Sequence, residues 1–248
     1  MKNLKYLTIS VLPLMWTVYF LFEIFTGRVT DMPTVLGNIL LILLFALVGL
    51  YFHNLSLRHA NGFKNKTIIN IFFLLMIVDQ GCKIIIKKFF FTSYVEIIKG
   101  FLSFNPIINK DGSWLNARFG TSISFPLLIT INFIALIIFF ELYRYYTHKG
   151  NKNFYGDMCF LFIFSGALCS LIDKVFYGGS LDFIGISNLF IADIKDIYIN
   201  IGILFFIISI VISGYLTEEE NTSFKEDIDS IKKFIIFAKN DLLSLLKK

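Results

Sequence analysis

The chain has 248 residues, of which 56% are hydrophobic and 17% charged, with thirty phenylalanines and a net charge of +5. Its mean hydropathy is +0.72. A water-soluble domain of this length carries more charge and cannot bury so much apolar surface in one core, so lipid is the solvent this composition fits. The small positive balance does not point to nucleic acid, because the lysines mostly flank apolar runs, where they set topology.

Six runs have the length of a membrane-crossing helix, which needs about 20 apolar residues: roughly 6–25, 34–52, 67–88, 123–143, 154–176 and 196–216. The first follows Lys2 and Lys5, as a signal peptide's core would. It is longer than such a core and no small-residue cleavage site follows, so it reads as a retained helix. These first 64 residues show no ionisable group well inside an apolar run and no visible chemistry. The connections carry Arg28 and Asp31, then Arg58, Lys64 and Lys66, then a long stretch from about Lys87 to Ser122, then Arg144, Lys149 and Lys152, and last a short acidic segment. Placing Lys2, Lys5, the Arg58–Lys66 loop and the Arg144–Lys152 loop on the cytoplasmic side puts both termini there and the acidic segment outside. The long connection, with Lys87, Lys88, Lys99, Lys110 and Arg118, dissents from that rule.

After the last run, residues 217–248 change character. Ser223 and Glu226 have capping-box spacing, and Ile228, Ile231, Ile235, Leu242 and Leu245 recur at helical spacing. The segment reads as an amphipathic helix at the cytoplasmic surface, or else as a solvated tail. The expected organisation is a two-helix membrane extension over 1–64, a four-helix core over 65–216 and a helical tail over 217–248. Cys82, Cys159 and Cys169 form no C-x-x-C pair, and His53, His59 and His148 lie in polar connections, so neither a disulfide framework nor a zinc site is expected. No dinucleotide fingerprint, P-loop or G-x-S-x-G is present.

Ionisable residues inside spans are costly unless paired or hydrated, so they are candidates for function. Asp79 and Lys83, four apart, share a helix face and can pair, either to fix packing or to support chemistry. The fifth run ends Ser165-Gly-Ala-Leu-Cys-Ser170-Leu-Ile-Asp173-Lys174, whose small residues permit close helix approach. Asp182, Asp193 and Asp196 bracket the short acidic connection. Two carboxylates converging from opposed helix ends share one proton, which supplies a base to activate water and an acid to protonate a leaving amine.

At these residues the sequence resembles the lipoprotein signal peptidase family, the bacterial type II signal peptidases, over roughly residues 66–216. Asp79-Gln80-Gly-Cys-Lys83 fits the family's D-Q-x-x-K. Asn109-Lys-Asp-Gly-Ser-Trp114 keeps the asparagine and aromatic of N-T-G-A-A-F. Gly166-Ala-Leu168, Leu171, Asp173, Gly178 and Asp182-Phe183 match the third motif without a gap. Ser170 stands for its asparagine and Lys174 for its arginine, and lysine cannot make arginine's bidentate contacts.

The resemblance implies a four-helix core with a catalytic aspartate pair near the outer membrane face, and it places Asp182 on the first aspartate. For the second, Ile191-Ala-Asp193 ends like the motif F-N-x-A-D. Gly202 lies six residues after Asp196, where the family often has a glycine, and this register is preferred. It sets Asp193 on the family asparagine as close support and Lys195 on the alanine, a real departure. At the N-terminus of the last span both carboxylates would meet unpaired backbone N–H groups.

The implied function is an intramembrane aspartic endopeptidase in a bacterial cell membrane, cleaving signal peptides from diacylglyceryl-modified prolipoproteins. Asp79, Lys83, Asn109, Ser170, Asp173 and Lys174 would support it. Its partners would be those signal peptides and membrane lipids, with no nucleic acid, metal or organic cofactor. The alternative is a catalytically altered descendant that binds lipoproteins or serves as a structural or transport partner.

Overall fold

The structure is a computed structural model, and it describes residues 2–111, 114–120, 123–213 and 224–246. It is an all-α integral membrane protein in its architecture, with six helices long and apolar enough to cross a bilayer. These are α1 (Lys2–Phe25), α2 (Met32–Arg58), α3 (Asn65–Ile85), α5 (Phe125–His148), α6 (Phe154–Ile172) and α7 (Ile194–Ile212). A short α4 (Trp114–Phe119) lies between α3 and α5, and α8 (Phe224–Leu246) follows α7. Their starts are marked by local chemistry. Asp31 caps α2 by accepting from the Thr34 amide, with Pro33 in the first turn, and Asn153 caps α6 by accepting from the Gly156 amide. Both α3 and α6 finish in a π-helical turn, Ile86–Phe90 and Asp173–Tyr177. The second ends at Gly178, whose φ of +62° suits a residue without Cβ.

The bundle is packed around α6 and α7. Phe154 and Leu161 on α6 and Leu204, Phe205 and Ile208 on α7 are fully buried. Glycine sets the approach of the two helices. A Cβ on Gly202 would lie 2.4 Å from Ile163 Cγ1, and one on Gly166 would lie 2.8 Å from Ile199 Cγ1. Outward faces carry exposed apolar side chains such as Phe73, Leu74, Ile77, Ile131 and Ile134, as a lipid-facing surface requires.

The long connection after α3 and the acidic connection after α6 together hold an element that the apolar runs did not announce. Strands β1 (Val95–Ile98), β2 (Leu102–Asn109), β3 (Ser180–Ile186) and β4 (Phe190–Ala192) form one antiparallel sheet in chain order. The β2–β3 register puts Ile107 opposite Asp182 and Asn109 opposite Ser180. It slips between Phe104 and Ile107, around Pro106, which has no N–H to give to a ladder. The sheet sits at the end of the bundle where α3 and α6 finish and α7 begins.

The first two helices are joined to that end by specific contacts, made by an ionisable group at the end of the first run rather than well inside it. Glu23 on α1 is fully buried, 3.2 Å from Arg28 and 3.6 Å from Arg118. Arg28 also donates to the carbonyls of Asn188 and Leu189 in the β3–β4 turn. Glu23 escaped notice because it lies near its helix end and one of its partners is far away in sequence. The Phe101 ring fills the space beside Gly37 on α2. His53 lies inside α2 rather than in a connection, since that helix runs on to Arg58.

At the opposite end, Asp157 on α6 accepts from the Phe63 amide and the Tyr143 hydroxyl. Helix α8 docks on α5 through an Arg144–Asp241 ion pair and the rings of Tyr145, Phe234 and Phe237. Ile231, Ile235 and Leu242 on α8 are exposed. The Ser223 cap and residues 214–216 of the sixth run lie outside the described residues.

Candidate functional site

The site is built where α3, β2, the end of α6, β3 and the start of α7 meet. Asp79 and Lys83 face inward one turn apart, as their spacing predicts, and the Lys83 ammonium is 2.9 Å from Asp79. The same ammonium is 2.7 Å from Asp173 and 2.7 Å from Asp193. Gln80 donates to both Asp79 and Asp173. The other oxygen of Asp79 accepts the backbone N–H of Lys195 at 3.0 Å, so α3 caps α7 from outside. A carboxylate there meets one of the unpaired amides of a helix start.

Asp193 is the N-cap of α7 and forms a reciprocal capping box with Asp196. Its carboxylate accepts from the Asp196 amide, and the Asp196 carboxylate accepts from the Asp193 amide. Asp193 is also paired with the Lys195 ammonium and lies 3.1 Å from the Ser180 hydroxyl. Lys195 and Lys83 outweigh burial and hold the Asp193 carboxyl below the ordinary carboxylate range.

Asp182 is buried on β3. Asn109, facing it from β2, donates to one of its oxygens at 2.9 Å. The other oxygen has no hydrogen-bond partner and lies 3.8 Å from the Lys195 ammonium. Burial pushes the Asp182 carboxyl up, with Lys195 opposing. Oxygens of Asp182, Asp193 and Asp196 lie within 4.8 Å of one another. Three such carboxylates can hold a cation, but here the ammonium of Lys195 already supplies positive charge between Asp182 and Asp193.

Of the sequence candidates, Asp79, Lys83, Asn109, Asp173, Asp182, Asp193 and Asp196 converge. Ser170 and Lys174 pair with each other at 2.5 Å, one turn apart on α6 and its π turn, and neither makes a hydrogen bond to the three-carboxylate group among the described residues. Two residues were missed. Ser180 accepts from Lys195 and lies within 3.2 Å of Asp173 and 3.1 Å of Asp193. Its signal was the strand period, which puts positions two apart on one face with Asp182. Lys195 was noticed as a departure but given no role, although it is a lysine in the first turn of an apolar helix.

The signal peptidase (SPase) II family model matches residues 71–212, more than half of the chain. A lipoprotein signal peptidase from Fusobacterium nucleatum is 30% identical over 145 residues, covering 56% of this chain and 83% of that protein. Another from Staphylococcus epidermidis is 30% identical over 155 residues, covering 60% of this chain and 91% of that protein. A solved bacterial membrane enzyme, determined by the in meso method at 2.3 Å, superposes with a TM-score of 0.51 at 26% identity, covering 66% of this chain and 99% of that one. The matched segment runs from within α3 to the end of α7 and contains every residue of the carboxylate–lysine cluster, and by that match the chain belongs to the signal peptidase II family.

Proposed function

We propose that the chain is an aspartic endopeptidase that removes signal peptides from diacylglyceryl-modified prolipoproteins, with Asp182 and Asp196 as its catalytic pair. One observation carries the choice of pair. Among the three convergent carboxylates, Asp193 is committed to two ammonium groups, a hydroxyl and a backbone amide. Asp182 keeps an oxygen without a hydrogen bond, and Asp196 is only partly buried and receives one backbone N–H. A carboxylate locked in ion pairs cannot exchange protons with a substrate, whereas two loosely held ones at this separation can share one.

In this reading Asp196 takes a proton from water as the water attacks the scissile carbonyl. Asp182, assigned the proton that the pair shares, gives it to the leaving amine. Asn109 orients Asp182. Asp79, Lys83 and Asp173 hold the start of α7 so that Asp196 faces β3. Ser170 and Lys174, joined to each other, are assigned to supporting the substrate rather than to the proton transfers. We further infer that both termini are cytoplasmic, that 65–216 forms the peptidase core and that 1–64 is an added membrane unit. The family match and the four-helix arrangement support this division.

The test is complementation in cells depleted of their own lipoprotein signal peptidase. Wild type should restore prolipoprotein processing, Asp182→Asn and Asp196→Asn should not, and Asp193→Asn should retain activity. Processing by Asp196→Asn but not by Asp193→Asn would hand the second role to Asp193. Failure of the wild type would favour the binding or partner role.

A further inference from the structure

Lys195 lies where a single positive charge joins two groups of carboxylates. Its side chain is almost fully buried. The ammonium pairs with Asp193, donates to Ser180 at 2.5 Å, and lies 3.4 Å from Asp173 and 3.8 Å from Asp182. Lys83, the other buried ammonium, contacts Asp79, Asp173 and Asp193 but makes no ion pair with Asp182. Among the described residues, Lys195 alone puts an ammonium within 4 Å of both Asp182 and the Lys83 cluster. The unbonded oxygen of Asp182 faces it.

We propose that Lys195 is a positioning residue for the catalytic pair, and that it and Asp193 form a compensated couple whose opposite charges cancel at Asp182. This rests on the Asp182–Asp196 reading above.

The sign of each influence follows from Coulomb's law. The Lys195 charge favours the ionised form of Asp182, and the Asp193 charge favours the protonated form. Lys195 alone would draw the proton off Asp182 and Asp193 alone would hold it there, so the two charges act in opposite senses on one carboxyl. The couple is also held by shape. Ser180 bridges Lys195, Asp193 and Asp173, and the Lys195 backbone is fixed by Asp79. The charged groups facing this point are Asp79 and Lys83 from α3, Asp173 and Lys174 from the end of α6, Asp182 from β3, and Asp193 and Asp196 from α7. Lys195 is buried and its ammonium is directed at carboxylates, so its removal should act on turnover and not on substrate affinity.

The experiment uses the full-length protein purified in detergent, with a diacylglyceryl-modified prolipoprotein peptide as substrate and kcat and KM measured across pH. Lys195→Met keeps length and removes charge. It should lower kcat about tenfold with KM little changed, and should move the alkaline limb to higher pH by about one pH unit, because Asp182 then holds its proton more tightly. Asp193→Asn should move that limb the other way. The double variant Asp193→Asn with Lys195→Met should bring it back to within about half a pH unit of wild type. Lys195→Arg, which keeps the charge, should leave the limb in place.

A wild-type limb and turnover in Lys195→Met would overturn the proposal, as would shifts in the double variant that do not cancel. Should the single variant fail to accumulate, recovery of folded, active double variant supports the couple and its absence refutes it. Asp196→Asn runs in parallel. Activity in that variant sinks the catalytic-pair reading itself, whereas an inactive Asp196→Asn beside an unaffected Lys195→Met sinks only the role of Lys195.

Discussion

Two buried charge clusters serve this molecule differently. In the core, the side chains of Asp79, Lys83, Asp173 and Asp193 are each 3% exposed or less. With Lys195, Asp182 and Asp196 they come from α3, the end of α6, β3 and α7. In the first two helices, Glu23 is fully buried but answered by Arg28 and Arg118, whose side chains are 32% and 22% exposed. The first cluster has more carboxylates than ammonium groups; the second has one carboxylate for two guanidinium groups. A surplus of carboxylates in a water-poor setting forces a proton to be shared, which is the raw material of acid–base chemistry. A surplus of half-exposed arginines only anchors, and Arg28 spends its remaining donors on the carbonyls of the β3–β4 turn.

The contrast breaks most sharply at the catalytic pair. Asp182→Asn and Asp196→Asn should each reduce processing about 10²–10⁴-fold, with folded protein recovered at wild-type levels. A variant that processes normally would show that surplus carboxylate is not what drives the chemistry. Removing the cation shared by Asp79, Asp173 and Asp193 should instead cost stability. Lys83→Met strands three carboxylates around a missing ammonium, a loss of about 3–5 kcal/mol for a buried pair, to be read by chemical unfolding in detergent. An unaltered unfolding midpoint would mean that the cluster is hydrated.

Gly202→Val tests the helix packing that brings α7 to the site. Its first side-chain atom would fall 2.4 Å from Ile163 Cγ1 and 3.0 Å from the Ile163 amide nitrogen. The expected destabilisation is about 1–3 kcal/mol. Asn109→Ala removes a hydrogen bond that favours ionised Asp182, so kcat should fall about tenfold. The Asp182 carboxyl, already above the ordinary range, rises further without Asn109. The alkaline limb of the rate profile should therefore move to higher pH, and a move to lower pH would deny the assignment. Arg28→Ala should have the smallest effect, about 0–1 kcal/mol, with at most a few-fold change in processing, since Arg118 still answers Glu23. A loss of activity comparable to that of the catalytic variants would erase the distinction between anchor and site.

Much of this was legible in the sequence because it is local. The six spans follow from run length, and the Asp79–Lys83 pair follows from the pitch of one helix. The cap role of Asp193 was visible in its three-residue spacing from Asp196. The sheet was not legible, because its strands are short and β2 carries Pro106, which usually argues against a strand. Ser180 and Lys195 were not assigned because their roles depend on β3 lying against the first turn of α7, a contact between segments fifteen residues apart that no periodicity near the residues themselves announces. Glu23 and Arg118 meet across about ninety residues, a distance that no local periodicity spans.

The β2–β3 pairing has a consequence for how the enzyme is made. These neighbouring strands are separated in the chain by α4 and by both α5 and α6. As the protein emerges from the ribosome and enters the bilayer helix by helix, β2 must wait beside the membrane until two more helices have been threaded, and Asp196 arrives only with α7. Chain-distant pairings of this kind form late and slowly. On the proposed pairing of Asp182 with Asp196, the growing chain would have no catalytic centre until its last membrane helix is seated, and a synthesis product truncated before α7 would lack one member of the pair.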